Sequence, residues 1–77
     1  MYSEELERAL SARRISPGDF IKIKKGDTTF EGILMPRPDL GDRSIIVLKL
    51  DNGYNIGIRY TSSTKIEKIR SASATFE

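Results

Sequence analysis

The chain reads as an all-β protein: a small five-stranded antiparallel barrel, SH3-like or Sm-like, preceded by a short N-terminal helix. Three observations predict this. The spacing of apolar residues changes from a helical period to a period of two at Ser16-Pro17-Gly18-Asp19. Beyond that point the alternation recurs in five short runs joined by tight connections. An Asn-Gly pair in Asp51-Asn52-Gly53-Tyr54, set between two alternating runs, is a strong local hairpin signal. A five-stranded OB-fold fits less well, since it usually sets a helix between strands and no helical period follows Pro17.

The helix is expected over residues 3–14. Ser3 is a good N-cap, and Glu4, Glu5 and Glu7 place negative charge at the pole that favours it. Leu6, Ala9, Leu10 and Arg13 fall on one narrow stripe, and Arg13 and Arg14 suit the last turn. Pro17 disfavours helix at Ser16, and Gly18 supplies turn freedom.

Ile21 and Ile23 alternate with Lys22 and Lys24, a half-buried strand with a wet basic face. Lys25-Gly26-Asp27-Thr28 turns the chain into a second strand, Thr29 to Met35, in which Phe30 is expected to be buried and Gly32 to mark a bulge or a sharp bend. Two prolines keep Pro36 to Asp42 irregular. Ser44 to Leu50 presents Ile46, Leu48 and Leu50 on one face. Asn55 to Tyr60 presents Ile56, Ile58 and Tyr60. A type I′ turn at Asn52-Gly53 is expected between these two strands. Thr64 to Arg70, with Ile66 and Ile69, is the fifth strand. The chain therefore divides into a helical lead-in over 1–16, a barrel domain over 17–70 and a polar tail over 71–77.

Composition excludes several functions. At 77 residues there is room for one domain with a small core. No cysteine means no disulfide framework and no thiolate zinc site, and no histidine removes the commonest general base and metal ligand. Triads built on histidine are thereby impossible. The run Ile45 to Leu48 is far too short to span a bilayer, and residues 1–5 lack the basic and apolar parts of a signal peptide, so a cytoplasmic protein without membrane contact is expected. With 13 basic and 11 acidic residues, net charge alone does not announce nucleic acid.

The candidate contact residues are Lys22, Lys24 and Lys25, with Lys65, Lys68 and Arg70 adding charge from the last strand. They are read either as a strip meeting RNA phosphates or as the solvated face of a protected edge. Arg37, held between Pro36 and Pro38, suits a carboxylate or phosphate, or is the exposed residue of a rigid corner. Tyr54 is a further candidate, against packing across its hairpin. Asp39, Asp42 and Asp51 lack the spacing of a metal loop, and no catalytic, cofactor-binding or metal-binding residue is expected.

Three segments carry more than generic strand and turn chemistry: SPGDFIKIKKGD (16–27), EGILMPRPDLGD (31–42) and IVLKLDNGYNIGI (46–58). In this order and spacing they resemble the N-terminal domain of the D subunit of archaeal glutamyl-tRNA(Gln) amidotransferase, over roughly residues 16–69. The resemblance implies an accessory, docking role. In that family the asparaginase-like part of the D subunit, with its catalytic threonines, lies downstream and releases ammonia from glutamine. The E subunit uses ATP and Mg²⁺ to activate the glutamate of the misacylated tRNA. None of those catalytic residues has a counterpart here, so no cofactor is expected in this segment. The implied partners are the E subunit, a second D subunit and tRNA(Gln). Residues 71–77 would then be a polar tail or the start of a linker to an asparaginase-like domain; the chain reads either as a segment of a longer protein, which the tail favours, or as a free-standing relative. An autonomous Sm-like or SH3-like module binding RNA or protein is the alternative.

Overall fold

A computed structural model of the chain describes residues 2–36 and 41–72. Helix α1 (Glu4–Ala12) leads into strands β1 (Phe20–Lys25), β2 (Thr28–Leu34), β3 (Ile45–Lys49), β4 (Asn55–Arg59) and β5 (Lys65–Arg70). All ladders are antiparallel, and the strand order is β4-β3-β2-β1-β5. The all-β class with a leading helix is as expected. The barrel is approximate, because among the described residues no ladder joins β4 to β5. The turn between those strands satisfies its own groups: Thr64 N–H donates to Thr61 O (3.0 Å) and Thr61 N–H to Thr64 Oγ1 (3.0 Å).

One buried cluster unites Tyr2, Leu6, Leu10 and Ile15 with Ile21, Ile23, Leu34, Ile46, Leu48, Ile58 and Ile66. The core is thus assembled wholly within the chain, and α1 is its lid. Ser3 caps the helix, its Oγ accepting from Leu6 N–H. The helix ends at Ala12, earlier than expected, leaving Arg13 as C-cap and Arg14 beyond it. Arg14 adopts φ 57°, Ile15 N–H donates to Leu10 O, and Arg14 N–H donates to Ser11 O. That pair of bonds is a Schellman motif, and buried Ile15 supplies its apolar contact to Leu10. It is usually built on glycine; here an arginine bears the left-handed strain.

Tyr2 anchors the other end of α1. Its hydroxyl donates to Met35 O (2.8 Å) and accepts from Val47 N–H (3.1 Å), standing inside the β2–β3 ladder where a backbone bond would otherwise lie. Next to it Met35 N–H donates to Val47 O. Gly32 lies where β2 comes close to the backbone of β3. It is buried opposite Ile21, and a Cβ at this position would lie 2.7 Å from Lys49 O. β2 pairs with β1 along most of its length and with β3 only at Ile33 and Leu34. No register shift marks Gly32 in its pairing with β1, so the expected bulge is absent there, and the close approach of the Lys49 carbonyl is what excludes a side chain at this position.

Four details differ from expectation. Phe30 is half-buried against the core rather than enclosed. The Asn52-Gly53 turn is not type I′: among the described residues Arg14 is the one non-glycine with positive φ, so Asn52 stays on the ordinary side and Gly53 alone crosses (φ 92°). Gly53 N–H donates to Leu50 O and Leu50 N–H to Tyr54 O, giving a three-residue loop of type I turn plus glycine. Asp51 lengthens the loop by one residue. The bulge lies in β5, where the register passes from Ile21↔Lys68 to Phe20↔Arg70 and leaves Ile69 as the extra residue, 40% exposed. The fourth difference is the earlier helix end noted above.

Candidate functional site

The register of the sheet sets out its outer face as three rows running across the strands. Ile21 and Ile23 point inward, so Phe20, Lys22 and Lys24 face out. The first row is Lys65–Lys24–Thr29, the second Glu67–Lys22–Glu31, and the third Arg70–Phe20–Ile33–Lys49–Asn55. Rows two residues apart along a strand lie about 7 Å from one another.

The first row is basic, with Lys24 and Lys65 directly opposed. It opens onto a groove of about 650 Å³ lined by Arg13, Lys22, Lys24, Lys65, Glu67 and hydroxyls including Thr29 and Ser62. Arg13 reaches this groove because its Nε donates to Ile66 O (2.9 Å) and its Nη1 to Ala9 O (2.8 Å), which fixes the guanidinium beside β5. The second row places Lys22 between two carboxylates. The third is amphipathic: Arg70 stacks over the Phe20 ring at 4.5 Å, and Ile33 is 40% exposed beside it.

The remaining expected contact residues lie elsewhere. Lys25 sits at the end of β1, and its Nζ donates to Arg59 O (2.7 Å), bridging toward the edge that no ladder closes. Lys68 shares the inward side of β5 with Ile66, and its Nζ donates to Arg14 O (2.8 Å) and lies 3.5 Å from Asp19 Oδ2. Tyr54 stands 72% exposed at the hairpin, its N–H donating to Asn52 Oδ1. Arg37 and Asp39 lie outside the described residues. The structure therefore brings Lys22, Lys24 and Lys65 together and assigns Lys25 and Lys68 to contacts within the fold.

Two carboxylates do structural work. Asp19 is buried; its Oδ2 accepts from Ser16 N–H (2.9 Å) and its Oδ1 from Ala72 N–H (3.0 Å). Burial disfavours its charge, but the two N–H donors and Lys68 outweigh that, and its pKa lies below the ordinary carboxylate value. Asp42 accepts from the Ser44 hydroxyl (2.6 Å) and N–H (2.9 Å), and pairs with Arg59 Nη1 (3.0 Å). Those contacts, the Ser44 bonds foremost, bring its pKa down to about 2. Among the described residues no three His, Cys, Asp or Glu side chains converge as metal ligands would, and no helix is long and apolar enough to cross a membrane.

Arg13 and Phe20 are not among the contact candidates that the sequence offers, whereas Arg70 is. Alternation alone places Phe20 on the same wet face as Lys22 and Lys24. Arg70 joins it only through the bulge at Ile69, and Arg13 only through a bond between residues 53 positions apart.

The fold defines a small, helix-lidded antiparallel β-domain of barrel type. The model of the GatD N-terminal domain matches residues 15–69, and the chain belongs to that family. The D subunit of glutamyl-tRNA(Gln) amidotransferase from Thermofilum pendens is 46% identical over 67 residues, 86% of this chain and 15% of the relative. The protein of that name from Saccharolobus solfataricus is 52% identical over 60 residues, covering 78% and 13% respectively. That of Methanosphaera stadtmanae is 44% identical over 68 residues, covering 88% and 15%. The chain thus spans about 15% of the length of these curated relatives.

Proposed function

We propose that this chain is a non-catalytic docking domain of the D subunit of glutamyl-tRNA(Gln) amidotransferase, working in the cytoplasm. In this reading the chemistry lies outside these residues: an asparaginase-like part releases ammonia from glutamine, and the E subunit, with ATP and Mg²⁺, uses it to convert Glu-tRNA(Gln) to Gln-tRNA(Gln). The domain's partners are the E subunit, a second D subunit, or tRNA(Gln).

The observation that carries the reading is the family match over residues 15–69 in a chain that spans so small a part of its relatives. The reading is supported by the lack of histidine and cysteine in the sequence. Among the described residues, Asp19 and Asp42 hold backbone N–H groups and neighbouring cations, which suits a structural role for these two carboxylates.

The test is removal of the domain from the complete D subunit. Ammonia release from glutamine is expected to persist, while co-elution with the E subunit and formation of Gln-tRNA fall. Loss of ammonia release with assembly intact would contradict the proposal, as would full assembly and full amidation without the domain.

A further inference from the structure

We propose that the Lys24–Lys65 end of the outer face, with Arg13 at its rim, is a binding site for backbone phosphates of RNA. The choice of RNA rests on the docking function proposed above; the anion site itself rests on geometry.

Much of the chain's positive charge is already committed. Lys25 is held by Arg59 O, Lys68 by Asp19 and Arg14 O, Arg59 by Asp42, Arg8 by Glu4, and Arg70 by the Phe20 ring. Lys22 lies between Glu31 and Glu67 in register. Lys24 and Lys65 differ. They oppose each other directly on neighbouring strands, where Cβ atoms stand about 5 Å apart and like charges are destabilising. The third member of their row is an uncharged threonine, and among the described residues neither lysine has an ion pair. An arrangement that works against folding, placed over a groove with a fixed arginine and several hydroxyls, fits an anion that would relieve it.

The face also limits how RNA can lie on it. A strand running from the basic row to the Phe20–Ile33 patch would have to cross Glu31 and Glu67, and Glu67 also borders the groove. The site therefore receives phosphates end-on at the first row, without stacking of bases on Phe20. Recognition of this kind is by charge and is independent of sequence.

The test is fluorescence anisotropy of a labelled tRNA transcript titrated with this chain between about 50 and 200 mM salt. Replacing both Lys24 and Lys65 with Ala is expected to weaken binding at least about fivefold at the lowest salt and to flatten the log–log salt slope by about 1 to 2. Lys49→Ala, at the far end of the face, is expected to leave the slope unchanged. A Gln pair in place of the Ala pair repeats the test should the Ala variant melt early. An unchanged slope in the double variant overturns the site. Labelled polyglutamate binding as tightly as the transcript, with the same loss in the variant, overturns RNA in favour of an acidic protein. Neither readout depends on assembly with the E subunit, so failure here is distinct from failure of the docking function.

Discussion

The seam around β5 and the outer face of the sheet treat charge in opposite ways. In the seam, Asp19 gathers Ser16 N–H, Ala72 N–H and Lys68, while Lys68 also takes Arg14 O; helix end, turn and last strand meet on a single carboxylate. On the outer face, Lys24 and Lys65 confront each other with no carboxylate in their row. Charge in the seam holds the fold together, and charge at the basic end strains it. Lysines close in sequence thus belong to different functions: Lys24 to the open face, Lys25 to the framework.

The largest effect is expected from Asp19→Ala. It strands two backbone donors and the Lys68 ammonium, and should cost about 3 kcal/mol, read from urea unfolding. A loss below about 1 kcal/mol would mean that the seam is no more than surface. The same group sets a pH dependence. Its folded pKa lies below the ordinary value of 3.8, so its contribution is complete above pH 4 and fades as pH falls through the lower folded value. Asp42, at about 2 when folded, acts in the same direction. Stability is therefore expected to drop between about pH 4 and 2 in the parent, and by less in the Asp19→Ala variant.

A smaller loss is expected from Tyr2→Phe. The ring still fills its place in the core, but Met35 O and Val47 N–H lose the hydroxyl between them, at a cost of about 1–2 kcal/mol. Hydrogen exchange at the Val47 amide should quicken first; an unchanged amide would show that the hydroxyl is not part of the ladder.

Local features of this fold were legible in the sequence. The Ser3 cap, the Leu6–Leu10 stripe and the inward Ile21, Ile23, Ile46, Leu48 and Ile58 follow from period and turn chemistry, which act within a few residues. The hairpin was legible in place but not in type, since Asn-Gly serves both a two-residue loop and, with Asp51 added, a three-residue one. What the sequence hid depends on distant pairing. The Ile69 bulge, the Tyr2 hydroxyl in a ladder 45 residues away, and the hold of Arg14 O on Lys68 all come from the return of β5 beside β1 and the docking of α1. Of the candidate contact residues, the shared face of Lys22 and Lys24 and the opposite faces of Lys65 and Lys68 were readable from alternation; which lysine is flanked by glutamates is a matter of register.

The contrast between seam and face is tested most directly by Lys65→Glu, with melting temperature and RNA affinity measured on the same protein. The substitution replaces a repulsive cross-strand pair with an attractive one, Lys24 opposite glutamate. The melting temperature is expected to rise slightly while the affinity for the tRNA transcript falls. A lower melting temperature with unchanged affinity would place Lys65 in the framework alongside Lys68 and remove the reason for calling this end of the face a site.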